Sequence, residues 1–294
     1  MKVLCFGSMN IDYVYSVDHI VSVGETENSF GMSVNPGGKG LNQSIALARA
    51  GVDVCHAGMV GKEGQTLIDR CIENGVNVDH VRMIEGRSGH TIIQVDKNGD
   101  NSIILFGGAN QCMTEDFIDE VLADFENGDM ILLQNEINLL NVIIDKAHEK
   151  GMKIVLNPSP YNDALNSCDL SKVSYFILNE IEGEQMTGEK EPDIILKEIH
   201  RMYPDAKVVL TLGEAGSIFM DGEKIYRQEA YKVKAVDTTA AGDSFTGYFI
   251  SSVINGMKSE VGLRLASKAS AIAVTKPGAL DSIPTLDEVN KFSI

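Results

Sequence analysis

One feature of this 294-residue chain restricts its fold more than any other: short apolar runs alternate with single helical segments. The apolar runs predicted as strands are residues 3–7, 54–60, 130–133, 153–156, 175–178 and 208–212. Helical periodicity at 63–74, 117–125, 139–148 and 192–202 separates most of them. Because two parallel strands need a crossover connection, usually a helix, this alternation predicts an α/β fold with a mostly parallel central sheet.

A second group of segments lacks helical periodicity and is predicted to form a smaller sheet. Residues 13–34 alternate apolar and polar positions in pieces, which is typical of strands joined by loops. Strand-like residues 91–95 and 102–106 flank Lys97-Asn98-Gly99-Asp100, a strong signal for a β-hairpin. We expect about 13–34 and 88–107 to form a small β-sheet lid on a single domain that spans residues 1–294.

Charge and cysteine content disfavour several classes of partner. The formal net charge is −17 without any Lys/Arg cluster, which disfavours nucleic acid because phosphate backbones are bound by basic faces. No apolar run approaches the roughly 20 residues of a membrane span. The five cysteines are scattered and form no Cys-x-x-Cys pair, which argues against a disulfide framework and a zinc site. With no signal-peptide pattern at the start, we predict a cytoplasmic protein.

Polar residues follow several of the predicted strands. They are Asn10 and Asp12 after the first strand, then Glu136, Asn157, Asn179 with Glu182, and Thr211 with Gly213 after later ones. In open α/β sheets, ligands bind at the carboxyl ends of the strands. A single polar strand end is explained by a turn. A row of them that converges on one edge predicts an active site.

Two segments of small residues precede predicted helices. Residues 35–43 are rich in glycine and carry Lys39 and Asn42, but they lack the spacing of a P-loop. In residues 237–245, two acids bracket small side chains at the start of a helix, where backbone N–H groups and the helix dipole favour an anion. The alternative is an ordinary helix start with Asp243 as a dipole-favoured acid. No Gly-x-Gly-x-x-Gly follows the first strand, which disfavours a dinucleotide-dependent oxidoreductase.

These two segments resemble the motifs of the ribokinase branch of the PfkB carbohydrate-kinase family. Gly37-Gly38-Lys39-Gly40-x-Asn42-Gln43 is similar to the N-terminal motif of that family, and Asp237-Thr238-x-Ala240-Ala241-Gly242-Asp243 is similar to the C-terminal one. Asn179-x-x-Glu182 lies between them, and the resemblance runs from Val3 to about Pro284. It implies a three-layer α/β/α fold and an enzyme that transfers the γ-phosphate of ATP to a primary hydroxyl of a sugar, with D-ribose as the first expectation.

The resemblance also implies a role for individual residues. Asp243 would take the proton of the attacking hydroxyl, and the backbone N–H groups of Ala240, Ala241, Gly242 and Asp243 would hold the γ-phosphate. The implied sugar contacts are Asn10, Asp12, Gly38, Lys39, Asn42, Glu136 and Asp243. The implied nucleotide contacts are Asn179, Thr211, Gly213, Gly216, Gly242 and Ser267. Asn179 and Glu182 would place Mg²⁺ largely through water, although an Asn and an acid at this spacing also form a helix-capping pair.

A potassium ion is the further implied ligand, as an activator beside the phosphate site. The matching positions are Asp237, Thr239, Ala273, Lys276, Gly278 and Ser282, several of which would bind through backbone carbonyls. Asp237 also has a simpler interpretation as a cap before the helix. Because an exposed lid sheet invites pairing with a second copy, we expect a homodimer that associates through the lid.

Three positions depart from the pattern of the family. His90-Thr91 replaces a small or apolar pair on the lid strand, Tyr248 replaces a small residue, and Lys276-Pro277 replaces a basic pair. His90 is either structural or a contact to a sugar hydroxyl, which leaves the sugar open. The alternatives are deoxyribose, a ketohexose or a nucleoside as substrate, or a sugar-binding regulator that lacks catalysis.

Overall fold

The computed structural model describes residues 1–293 and contains thirteen strands in this range. They are β1 (Val3–Phe6), β2 (Asn10–Ser16), β3 (Gly31–Gly37), β4 (Val54–Val60), β5 (Asn77–Met83), β6 (Gly89–Val95), β7 (Asn101–Phe106), β8 (Met130–Gln134), β9 (Lys153–Asn157), β10 (Tyr175–Asn179), β11 (Lys207–Thr211), β12 (Ser217–Asp221) and β13 (Lys224–Gln228). The helices are α1 (Lys39–Arg49), α2 (Gln65–Glu73), α3 (Glu115–Ala123), α4 (Leu140–Glu149), α5 (Glu180–Thr187), α6 (Pro192–Met202), α7 (Ala241–Ile254), α8 (Ser259–Ala273) and α9 (Leu286–Lys291).

The large sheet has the strand order β13-β12-β11-β10-β9-β8-β1-β4-β5. In this spatial order, the seven strands from β11 through β1 to β5 are parallel to one another, whereas β12 and β13 pair antiparallel at one edge. The predicted mostly parallel sheet is therefore confirmed, although β5 and the β12–β13 hairpin were not predicted. β5 and β13 are the two edge strands, and their partial exposure replaces the continuous apolar run that marks a buried strand.

Helices cover both faces of the large sheet. Successive residues of β1 point to opposite faces, so Val3 and Cys5 join one hydrophobic cluster while Leu4 and Phe6 join the other. The first cluster includes residues of α1, α2, α7 and α8, and the second includes residues of α3, α4 and α6. This is the predicted three-layer α/β/α fold. Within residues 1–293, no helix combines the length and apolarity needed to cross a bilayer.

The small sheet has the order β3-β2-β6-β7. Strands β2 and β6 are parallel, and the outer two strands pair with them in antiparallel fashion. Asn10 and Asp12, which were predicted at the polar end of the first strand with a turn as the alternative, lie at the start of β2 and so belong to this sheet. The action of this sheet as a lid stays a prediction.

Helices α1 and α7 approach each other closely because Gly247 has no side chain. A Cβ atom at this position would lie 2.4 Å from the Cβ of Ala46, which is closer than two carbon atoms can pack. The first turns of the two helices therefore meet, and those turns carry the two motif segments. Tyr248 is fully buried beside this contact, and its hydroxyl donates to the carbonyl of Pro284 at 2.9 Å. This departure from the family pattern serves packing.

Candidate active site

The start of α7 presents free backbone donors. Ala240 adopts a left-handed conformation with φ of 59° immediately before the helix. The N–H of Ala241 donates to the carbonyl of Thr238 at 3.2 Å, whereas the N–H groups of Ala240, Gly242 and Asp243 have no protein acceptor within residues 1–293. A Cβ at Gly242 would meet no atom within 4 Å, so the space in front of it is open. Three of the four predicted donors are therefore available to an anion, and Ala241 is not.

Asp243 is buried in the first turn of α7 and is held by two amides of α1. The Nδ2 of Asn42 donates to its Oδ2 at 3.0 Å, and the Nε2 of Gln43 donates to its Oδ1 at 2.9 Å. Asn42 was predicted as a sugar contact, but its amide nitrogen is engaged by Asp243, and its buried Oδ1 has no protein partner within residues 1–293. The carboxylate is thus fixed at both oxygens.

Glu136 and Lys39 are two residues of opposite charge that lie beside the carboxylate of Asp243. The Oε2 of Glu136 accepts from the hydroxyl of Ser8 and from the backbone N–H of Lys39, the latter at 3.1 Å. Burial raises the pKa of Glu136, and the charge of Lys39 opposes that rise. Burial by itself would lower the pKa of Lys39, but the surrounding carboxylates, Asp243 first, raise it above its ordinary value. Lys39 is therefore a firmly charged cation at the centre of the site.

The small sheet contributes Asn10 and Asp12. Thr91 donates its hydroxyl to Oδ1 of Asp12 at 2.6 Å, and Asn110 donates to Oδ1 of Asn10 at 2.7 Å. Burial raises the pKa of Asp12, while the hydrogen bond from Thr91 opposes the rise. The remaining oxygen of Asp12 packs against Gly37, where a Cβ would lie 1.9 Å away. Both polar groups are therefore oriented before any ligand binds.

His90 does not face these groups. In the register of the small sheet, Thr91 pairs with Asp12 and His90 pairs with Ile11, so the two side chains of β6 lie on opposite faces. The ring of His90 packs against Phe106 at 4.9 Å and Tyr13 at 5.9 Å between centroids. Of the two interpretations of His90, the packing of its ring supports the structural one. Thr91 is the residue of the pair that shares a face with Asp12.

A cavity of about 100 Å³ joins the predicted phosphate and metal residues. Its lining consists of Lys39, Asn157, Ser159, Ile177, Leu178, Asn179, Glu182, Thr211, Gly242, Asp243 and Thr246. The carboxyl ends of β9, β10 and β11 thus meet the start of α7, as the row of polar strand ends predicts. Gly213, Gly216 and Ser267 are not part of this lining. Gly216 has a structural reason instead, since a Cβ there would lie 2.1 Å from the carbonyl oxygen of Gln228.

Asn179 and Glu182 form a reciprocal helix cap at the start of α5. The N–H of Asn179 donates to Oε2 of Glu182 at 3.0 Å, and the N–H of Glu182 donates to Oδ1 of Asn179 at 2.8 Å. The capping alternative is therefore realised. It leaves Oε1 of Glu182 without a protein donor within residues 1–293, at the wall of the cavity. Such an oxygen suits Mg²⁺ held through water, so capping and metal placement are compatible.

Three of the six predicted potassium positions, Asp237, Thr239 and Gly278, come together where two loops meet. Asp237 accepts from the N–H of Thr239 and from the N–H of Gly278, each at 2.8 Å. Partial burial would raise the pKa of Asp237, but these hydrogen bonds lower it. The hydroxyl of Ser282 donates to Ala279, and the ammonium of Lys276 contacts Glu288 at 2.6 Å. The side chains of Lys276 and Ser282 are thus engaged within the protein, and the carbonyl of Ala273 accepts from the N–H of Lys276 at 3.1 Å. An all-oxygen donor set of backbone carbonyls at these positions stays a prediction.

Three residues of this site were not identified as functional from the sequence. Gln43 stands inside the quoted glycine-rich motif, so its position gave a signal. Ser8 lies in the short connection between β1 and β2, where a serine is an ordinary turn residue. Asn110 gave no signal, because it lies in a short turn far along the chain and meets Asn10 only through the tertiary fold.

Comparisons with known proteins agree with this arrangement. A family model described as pfkB family carbohydrate kinase matches residues 1–286. The chain is 33% identical over 295 residues to a ribokinase of Haemophilus influenzae, with 97% of this chain and 96% of the relative covered. It is 29% identical over 306 residues to a deoxyribokinase of Salmonella typhimurium, with 99% and 98% covered.

A solved structure supports the same relationship. The structure of Arabidopsis thaliana ribokinase complexed with ribose and ATP matches with a TM-score of 0.86 and 28% identity, over 99% of both chains. The family model and the Haemophilus relative each extend over nearly the whole of this chain. The chain therefore belongs to the pfkB family of carbohydrate kinases and is itself a kinase.

Proposed function

We propose that this kinase transfers the γ-phosphate of ATP to the 5-hydroxyl of D-ribose. The observation that carries the proposal is the position of Asp243, a buried carboxylate beside free N–H groups at a helix start. A protein that only binds sugar has no need of a base beside an anion-binding site. This argues against a non-catalytic regulator. The ribokinases among the similar proteins support ribose as the acceptor.

In the proposed reaction, the sugar hydroxyl oxygen attacks the γ-phosphorus and the bond from that phosphorus to the bridging oxygen of ADP breaks. Asp243 accepts the hydroxyl proton. The N–H groups of Ala240, Gly242 and Asp243 and the ammonium of Lys39 stabilise the negative charge on the transferring group. Catalysis of phosphoryl transfer consists mainly of such positioning and charge stabilisation.

Two ions complete the proposal. Mg²⁺ would be held by Glu182 and Asn179 through water and would neutralise phosphate charge. K⁺ would be held at the junction of the Asp237 and Gly278 loops and would order the backbone that precedes the anion site. Thr211, Gly213, Gly216 and Ser267 remain proposed contacts for the nucleotide, and Thr211 has the most direct support because it lines the cavity.

The proposed sugar contacts are the predicted ones, namely Asn10, Asp12, Gly38, Lys39, Asn42, Glu136 and Asp243. Amide and carboxylate groups in fixed orientations can bind several hydroxyls of one ring. Deoxyribose is the second candidate substrate, since a deoxyribokinase is also among the similar proteins. A ketohexose and a nucleoside are the remaining alternatives.

We also infer a cytoplasmic homodimer that associates through the small sheet. On the face opposite Asp12, the side chains of Met32, Val34, Ile92, Ile104 and Phe106 are each exposed by at least 40%. Such an apolar surface is typical of a protein interface. Sedimentation velocity at several concentrations tests this inference, and a monomer at every concentration contradicts it.

The proposed activity is tested by ADP release with ATP, Mg²⁺ and a panel of sugars, with K⁺ present or omitted. Ribose should give the highest kcat/KM, and omission of K⁺ should reduce it. Turnover of deoxyribose or a hexose in preference to ribose would replace the substrate and keep the chemistry. The absence of turnover on every sugar would contradict the proposed reaction.

A further inference from the structure

A line of side-chain amides leads from the core of the large sheet to Asp243. The Nε2 of Gln134, at the end of β8, donates to the Oε1 of Gln43 at 2.7 Å. The Nε2 of Gln43 in turn donates to the Oδ1 of Asp243 at 2.9 Å. Gln134 and Gln43 are at most 1% exposed. A buried line of donors and acceptors of this kind has one preferred direction, because each carbonyl oxygen accepts and each amide nitrogen donates.

We propose that Gln43 is a positioning residue that fixes the carboxylate plane of Asp243, and that Gln134 fixes the orientation of the Gln43 amide. This inference rests on the proposed role of Asp243 as the base. Asn42 and Gln43 then each hold one oxygen of the Asp243 carboxylate.

The need for two donors follows from the geometry of an aspartate. Its terminal torsion joins a tetrahedral to a planar carbon, so its preferred values are broad and roughly two-fold. A single donor, such as Asn42 on Oδ2, leaves the plane free to turn about that contact. A second donor on Oδ1 removes this freedom, and Gln43 supplies it. The base is then aligned before substrate enters, which favours a near-attack arrangement.

Gln43 has no spare group with which to bind sugar. Its oxygen is engaged by Gln134, and its nitrogen is shared between Asp243 and the Oδ1 of Asn157, the latter at 3.5 Å. An effect of Gln43 on turnover must therefore pass through a neighbour. The contact depends on the close approach of α1 and α7, because Ala46 on α1 meets Gly247 on α7 one turn beyond these residues.

The test replaces Gln43 by methionine, which keeps the length of the side chain and removes the amide. Loss of a hydrogen bond to a charged group should reduce kcat roughly 10- to 100-fold. The KM for the sugar should stay within about threefold, because Gln43 has no free donor for the sugar. Gln134→Met should reduce kcat less, by roughly three- to tenfold, since Gln43 keeps its donor and loses only the group that orients it.

Coupling to Asp243 separates positioning from a general packing defect. In an Asp243→Asn background, Gln43→Met should change kcat by less than about twofold, because the carboxylate it aligns is gone. A full loss in that background would overturn the inference. So would a kcat of Gln43→Met within about twofold of wild type while Asp243→Asn collapses turnover. If Asp243→Asn itself keeps wild-type kcat, the proposed base fails and the inference fails with it.

The chain offers a matched control. Gln65 donates to the Oδ1 of Asp69 at 2.8 Å on the surface of α2, so Gln65→Met removes the same type of contact away from the site. Its kcat should equal that of the wild-type protein. Thermal unfolding of Gln43→Met, followed by circular dichroism, verifies that the variant folds, and calorimetric sugar binding gives the same check at the site. A folded variant that has lost sugar affinity and kept kcat at saturation would also overturn the inference.

Discussion

The two regions that enclose the candidate site are built in opposite ways. In the first turns of α1 and α7, the side chains of Asn42, Gln43 and Asp243 are buried, and both amides donate to the carboxylate. The small sheet presents Asp12 and Thr91 on one face and a row of exposed apolar side chains on the other. The Asp243 carboxylate of the first region has its hydrogen-bond partners within one chain. The second region presents an apolar surface that is suited to contact with another protein chain. We infer that chemistry depends on the helices and that selection of the sugar depends on the sheet.

The largest effect should come from the helix region. Asp243→Asn keeps the shape of the side chain but removes the base, so kcat should fall roughly 10²–10⁴-fold. Binding of the sugar, measured by calorimetry, should be retained. A kcat within a few-fold of the wild-type value would mean that Asp243 is not the base, and it would contradict the inference that chemistry depends on the helix region.

Two glycines of α7 test whether close helix packing sustains that region. Gly247→Ala places a Cβ 2.4 Å from Ala46 and should reduce the free energy of unfolding by about 1–3 kcal/mol, with a loss of kcat. Gly242→Ala meets no protein atom within 4 Å and should not reduce stability. It should reduce kcat/KM for ATP, because the added methyl group enters the space in front of the free N–H groups. Equal melting temperatures for the two variants would contradict the packing argument.

A smaller effect should come from the sheet region. Thr91→Val keeps the shape of the side chain and removes the hydroxyl that orients Asp12, so the KM for the sugar should rise roughly tenfold with kcat preserved. His90→Phe is the control on the opposite face, and it should leave that KM within about twofold. A reversal, in which His90→Phe alters the KM and Thr91→Val does not, would mean that the opposite face of the sheet contacts the sugar.

The smallest effect should be a change of the sugar KM with pH, to which both regions contribute. Burial raises the pKa values of Asp12 and Glu136, so on acidification both take up a proton at a higher pH than exposed carboxyls do. The protonated groups lose their negative charge and part of their acceptor capacity. The KM for the sugar should therefore rise as pH falls, beginning above the ordinary range of Asp and Glu. Glu136→Gln should reduce this dependence, measured as KM against pH, and an unchanged profile would contradict it.

Much of the fold could be predicted because its interior is regular. Strands buried on both faces give continuous apolar runs, and single helices between them fix parallel pairing. β5 and β13 were missed because edge strands are half-exposed and lack that pattern. The buried β12 was missed because no α-helix separates it from β11, so the strand–helix alternation does not mark it. The start of β2 was predicted too late in the chain, at residue 13, because the polar side chains of Asn10 and Asp12 conceal its alternation.

By itself, the sequence determined the fold class, the two motif segments and the residue types of the candidate site, because local propensity, periodicity and spacing are carried by neighbours in the chain. The tertiary structure decided which of those side chains meet. Gln43 and Asp243 are 200 residues apart, and they touch only because Gly247 lets two helices approach. The alternation of one strand decided that Thr91, and not His90, shares a face with Asp12. Contacts between distant segments depend on packing distances of a few tenths of an ångström, and no local pattern of residues encodes those.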